Sequence, residues 1–264
     1  MLKRSVKTTL SILNFIGFIA VVVVNALAVL LPINNKTTQE LSDKYPNLFV
    51  PAGITFSVWG IIYILLFIFI IYQFAVAARR GHEERGIFEK IGIWFFISCI
   101  FNVAWILAWH YEIVWLSLII MVLLFLSLLI IYIRLGTGRP GIRVSERICA
   151  NIPFSVYIGW ITIATIANVT ALLVQINWNR FGLSEQLWAV IVIAFGAIIT
   201  LATVYSRNDI FYCFVVIWAL AGILIKRFAQ GDTWASPVII TVIIAIALIG
   251  LSVIIQLVRK KRIY

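Results

Sequence analysis

"PNLFVPAGITFSVWGIIY", Pro46 to Tyr63, runs directly into "ILLFIFIIY", Ile64 to Tyr72. The second stretch is comfortable only in lipid or in a core. The first opens that helix with Pro, Gly, Thr and Ser and sets Trp59 and Tyr63 one turn apart. A plain membrane anchor needs none of this. The stretch therefore predicts a helix that borders something, and the rest of the chain has to say what.

The 264 residues are 63% hydrophobic and only 12% charged, with a mean hydropathy of +1.09. Soluble domains carry about a quarter of their residues as charges. Apolar runs of about 20 residues recur, each long enough to cross about 30 Å of hydrocarbon as a helix. Backbone hydrogen bonds must be satisfied internally there, and no alternating barrel pattern is present. The expectation is an all-α polytopic membrane bundle of about eight spans. They are Thr9 to Leu31, Ala52 to Ala77, Ile91 to Trp109, Ile113 to Ile133, Cys149 to Val174, Leu187 to Tyr205, Ile210 to Ile225 and Pro237 to Leu257, the seventh being the shortest.

The net charge of +11 is a topology signal. With the N-terminus cytoplasmic, Lys36, Lys44, Arg180, Lys226 and Arg227 fall outside and the other sixteen Lys and Arg fall inside. That asymmetry predicts both termini in the cytoplasm, in a bacterial inner membrane. It also removes the case for nucleic acid, which expects a clustered basic footprint. The N-terminal run exceeds a signal-peptide core and reads as a retained first helix. Cys99, Cys149 and Cys213 lie in or at the edge of three different spans without metal or disulfide spacing. No metal site, catalytic group or required cofactor is expected, since no ionisable residue falls in the middle of a span. His110 and Glu112, beside Trp109, Tyr111 and Trp115, read as an interfacial aromatic belt.

What stands out is a set of stripes. Phe56, Trp59 and Tyr63 share a face of the second span. Asn102, Trp105 and Trp109 share one on the third, and Tyr157, Trp160, Ala164 and Asn168 share one on the fifth, with Pro153 a turn before. Asn14, Phe18, Val21 and Asn25 do so on the first. Each stripe alone suits interhelical hydrogen bonding and packing. Together they suggest a lined cavity. Spans six to eight lack such stripes.

"FVPAGITFSVWGIIY", "FNVAWILAW" and "IPFSVYIGWITIATIAN" resemble, in order, three signature segments of the TspO/MBR family of tryptophan-rich sensory proteins. Trp59 and Tyr63 match its second helix, Asn102 and Trp105 its third, and Pro153, Trp160, Ala164 and Asn168 its fifth. The first loop departs from the family pattern, having Pro46 and Pro51 but no Trp. The resemblance implies a five-helix bundle over residues 1–175 with a pocket capped by the first loop. Residues 176–264 then add three membrane helices and a basic tail. It further implies that Trp59, Tyr63, Asn102, Trp105, Trp160 and Ala164 line the pocket, with Pro51, Phe56, Tyr157 and Asn168 as secondary lining, while Trp188 and Trp234 lie outside it. The implied ligands are porphyrins, haem-like molecules or other small apolar aromatics, in a sensory or translocating role. The implied partners are the lipid bilayer, that ligand and a second copy in a homodimer. A transporter of a small hydrophobic solute and a porphyrin-degrading enzyme are the alternatives.

Overall fold

The computed structural model describes residues 4–31, 33–78, 86–234 and 236–261. Lys3, Arg79, Arg80, Arg85 and Arg262, used above for topology, lie outside the described residues. Among those described there are helices and no strands. In chain order the helices are α1 (Arg4–Leu30), α2 (Thr38–Lys44), α3 (Val58–Ala78), α4 (Gly86–Ile91), α5 (Trp94–His110) and α6 (Val114–Leu135). Then come α7 (Val144–Glu146), α8 (Ile152–Gln175), α9 (Glu185–Arg207), α10 (Ile210–Ala229) and α11 (Pro237–Lys261). A 3₁₀ turn, Gly53–Ser57, leads into α3, and a π-helical turn, Arg147–Asn151, leads into α8.

Among the described residues seven helical segments are long and apolar enough to cross a membrane, and α5 is a shorter apolar helix of 17 residues. At 1.5 Å per residue α5 spans about 25 Å. The shortest crossing is thus the third, whereas the sequence pointed to the seventh; α10 has 20 residues. The cause is Gly92, whose φ of +54° ends α4 and divides the apolar run from Ile91 onward. Its N–H bonds the Phe88 carbonyl at 2.9 Å, closing the last turn of α4.

α5 and α6 pack as an antiparallel hairpin, α6 packs along α8, and α1 lies against α5 and α3. Phe69 of α3, Phe95 of α5 and Phe154 of α8 meet edge-on with ring centroids 5.0–5.6 Å apart. Such pairs contribute about 0.5–1.5 kcal/mol each beyond burial. The polar residues of α1 turn inward because an unpaired amide in hydrocarbon is costly. Asn14 Nδ2 donates to Gln73 Oε1 at 2.9 Å, and Asn25 Nδ2 donates to Asn102 Oδ1 at 2.8 Å.

The C-terminal helices join this bundle mainly through α10, which is held at both ends. At its start, buried Asp209 accepts from the N–H groups of Phe211 and Tyr212, both at 3.2 Å. The same carboxylate accepts from Tyr132 of α6 at 2.8 Å and from the Ser155 hydroxyl of α8. Near its far end, the Gly222 carbonyl accepts from the Ala52 N–H at 2.9 Å, and Trp218 Nε1 donates to the Thr55 carbonyl at 3.0 Å. Gly222 lies so close that a Cβ there would stand 1.9 Å from Thr55 Oγ1. Thr55 is short and fully buried, so it cannot swing aside. Gly250, by contrast, has nothing within 4 Å of its would-be Cβ.

Replacing Gly222 with Val should therefore lower thermal stability in detergent by about 1–3 kcal/mol or more, the usual cost of overpacking. Gly250→Ala should be neutral or stabilising by up to about 1 kcal/mol. Equal melting of the two variants would contradict this packing.

Candidate ligand cleft beneath a helical lid

The residues at the head of α3 form one wall of a cleft. Pro51 is buried, Phe56 leans edge-on against Trp160 at 6.0 Å, and Trp59 stands at the centre of an aromatic cluster. Trp59 stacks on Tyr63 at 5.7 Å and on Trp105 at 6.1 Å, and meets Trp160 edge-on at 6.1 Å. Ala164 and Asn168 continue the α8 wall, where Asn168 Oδ1 accepts from the Ser117 hydroxyl at 2.8 Å. Pro51, Phe56, Trp59, Trp105, Trp160, Ala164 and Asn168 thus border one space.

Tyr63, Asn102 and Tyr157 do not border it. Tyr63 sits behind Trp59, on the far side of the stack. The Asn102 amide is already engaged, accepting from Asn25 and donating to Tyr157 Oη at 2.9 Å. Asn102 and Tyr157 hold helices together, and Tyr63 backs Trp59 within α3, its buried hydroxyl unpartnered. Trp109, read above as part of an interfacial belt, is instead 5% exposed and lines the cleft. Its end of the α5 stripe is inside because the lid covers it, with Tyr45 5.8 Å from its ring. His110 is also fully buried, while Tyr111 and Trp115 are exposed as a belt requires.

The lid is α2 and its flanks. Thr37 and Glu40 form a capping box: the Thr37 side chain accepts from the Glu40 N–H, and Glu40 accepts from the Thr37 N–H at 2.7 Å. Leu41 anchors the lid helix by full burial. Gln39 lies directly on Gly53, where a Cβ would come within 2.0 Å of its Oε1. The contact is with the end of an exposed side chain, so a larger residue at 53 would displace Gln39 from the lid's underside. Thr38, Ser42, Asn47 and Val50 supply the lid's side of the cleft. The "TTQE" pattern of Thr37 to Glu40 is the sequence signal that locates this helix.

Three ion pairs in two clusters close the lid. Glu112, at the tip of the α5–α6 hairpin, pairs with both Lys36 and Lys44, and Lys226 of α10 pairs with Asp43. Glu112 adopts φ +58°, a left-handed conformation that costs a non-glycine residue about 1–2 kcal/mol. Hydrogen bonds from Lys36, then Lys44, hold its carboxyl below the ordinary value of 4.5. A depressed carboxyl stabilises its charged, paired form at pH above the ordinary value, and that contribution vanishes as pH falls through the lowered one.

The cleft is narrow. Its cavity volume is about 50 Å³. Sites for drug-sized ligands run to about 300–1,000 Å³, so a flat ligand requires the lid to lift. Trp105, Trp109 and Trp160 each bury an indole Nε1 that has no hydrogen-bond partner. All three border this space.

Because exposed ion pairs contribute about 0.2–1 kcal/mol each, Glu112→Gln should raise amide exchange across Thr38–Lys44 a few-fold. Wild-type protection there, corrected for intrinsic exchange, should stay flat from pH 8 to about 5 and fall only below the ordinary carboxyl value. Loss of protection already between pH 8 and 6 would assign the closure to another group.

A family model described as TSPO-like protein matches residues 11–255. The match begins within α1 and ends within α11, so it takes in the three C-terminal helices together with the five that surround the cleft. Comparison with curated proteins and with solved structures gives no match. The match covers most of the chain, and the apolar helices supply the rest: this is an integral membrane protein belonging to the family of TSPO-like proteins.

Proposed function

We propose that this protein binds a flat, apolar aromatic ligand of the tetrapyrrole class in the cleft beneath the lid, for sensing or for movement of that ligand. The observation that carries the reading is the trio of buried, unpartnered indole N–H groups of Trp105, Trp109 and Trp160 around one space. Leaving a buried donor unsatisfied costs about 1–3 kcal/mol. A ligand bearing carbonyl, carboxylate or ring-nitrogen acceptors would relieve that cost, and its ring would lie against the aromatic cluster around Trp59. The wall opposite is lined by Ala164, Ala167 and Ala171, which leave room for a planar body. The cleft's bordering residues all fall between Thr38 and Ala171, within the first five crossings.

The test is porphyrin quenching of tryptophan fluorescence in nanodiscs, with single Trp→Phe variants that keep the ring and remove the N–H. Trp105→Phe and Trp160→Phe should leave the melting temperature of the ligand-free protein unchanged or raised. Each should weaken porphyrin binding roughly tenfold, equivalent to about 1.4 kcal/mol. Trp115 and Trp234 are exposed and away from the cleft, so their variants serve as controls. Equal weakening by the controls, or no saturable binding by wild type, would reject the reading.

The charge asymmetry supports an orientation with both termini cytoplasmic in a bacterial inner membrane, with the lid on the opposite side. Reporter fusions after Tyr264 and beside Lys36 should read cytoplasm and exterior respectively. The reverse pattern would overturn the orientation while leaving the cleft intact.

A further inference from the structure

Outside the cleft, between the lid and the start of α9, lies a larger cavity of about 360 Å³. Trp178 and Trp188 form its aromatic wall, their ring centroids 4.7 Å apart and edge-on. Neither borders the cleft. A further space of about 260 Å³ adjoins it, sharing Glu185 and the Pro46–Leu48 turn of the lid. Arg227 of α10 lines that second space. It is 5% exposed, and its Nε has no hydrogen-bond partner. A buried guanidinium nitrogen without a bonded acceptor is costly, because that N–H has lost water without gaining a hydrogen bond.

The neighbouring charges do not resolve this. Lys226 is committed to Asp43. Glu185 and Asp232 act on Arg227 through space and make no bond to that Nε. Arg180, on the rim, bonds the Leu183 carbonyl. A cationic donor is therefore presented to a polar hollow, next to an apolar trough floored by Leu173 and Val174.

We propose that the two joined cavities form a second binding site, for an amphipathic molecule with one anionic, oxygen-bearing head. The head is bound by the Arg227 guanidinium, whose planar fork suits a carboxylate or phosphate. The apolar body lies along Trp178 and Trp188. The site stands independently of the tetrapyrrole reading, since its two cavities share with the cleft only Asn47 and Val50 of the lid. Free amphipathic acids and the headgroups of anionic lipids both carry this chemistry.

The experiment uses the full chain in phosphatidylcholine nanodiscs, titrated at alkaline pH with a dibrominated stearic acid or with its methyl ester. Bromine quenches tryptophan at short range. The acid should quench saturably and bind at least roughly tenfold more tightly than the ester, a comparison made on wild type alone. Arg227→Gln should abolish that difference, and Arg227→Lys should keep part of it. The quenching should fall in Trp178→Phe and Trp188→Phe but not in Trp105→Phe. Displacement of the acid by added phosphatidylglycerol would support the site with lipid headgroups as occupants; persistence of acid binding would support it with free acids. Equal binding of acid and ester, an acid preference that survives Arg227→Gln, or quenching that maps to Trp105 would overturn the proposal.

Discussion

The backbone at the head of α3 is gripped from two sides, and the site depends on that grip. On one side Gln39 of the lid rests on Gly53. On the other Gly222 of α10 meets Thr55 at a distance no Cβ would allow. The firmer of the two contacts is the second, where the Ala52 N–H also bonds the Gly222 carbonyl at 2.9 Å and the buried Thr55 has no room to turn, whereas the exposed Gln39 side chain can yield. It sets the height and rotation of α3, and hence where Trp59 points. It also couples the C-terminal helices to the cleft without contributing a single lining residue to it.

That coupling explains the uneven distribution of chemistry along the chain. The first five crossings carry six of the ten tryptophans and the interhelical amides, while α9, α10 and α11 are mostly aliphatic, with only Trp188 and Trp218 among them. The latter act as a brace. Asp209 locks one end of α10 to α6 and α8, and Gly222 locks the region near the other to the head of α3. The family match, which runs through to residue 255, treats the brace and the bundle as one unit. The lid is held less firmly, by solvent-accessible ion pairs and a short capped helix. The difference between a rigid wall and a light cover is what a site with a narrow resting cleft requires if its ligand is to come and go.

Much of this was legible in the residues. Apolar run lengths give the all-helical membrane fold, and helical spacing brings Trp59, Trp105 and Trp160 onto inward faces. The spacing could not tell which polar residues face a cavity and which face a neighbouring helix. Asn102 and Tyr157 share the stripes of Trp105 and Trp160, yet they bond each other across α5 and α8. Trp109 could be read both as the end of the Asn102–Trp105 stripe and as part of a belt near a hairpin tip; only the folded lid decides, by burying it. Nor could Gly92 be told from any other glycine, although its positive φ shortens α5. Asp209, just ahead of an apolar run, is legible as a helix cap but not as the partner of Tyr132 and Ser155, and no local pattern marks Gly222.

The central claim is that three partnerless indoles await an acceptor in one cleft. The most direct measurement is the indole ¹⁵N–¹H spectrum of the full chain in nanodiscs, assigned by single Trp→Phe substitutions and recorded as a porphyrin is added. The account predicts that the Trp105, Trp109 and Trp160 signals move together and saturate at one ligand concentration, while those of Trp115 and Trp234 stay in place. Stationary signals from the three cleft indoles at a ligand concentration that saturates fluorescence quenching would contradict it.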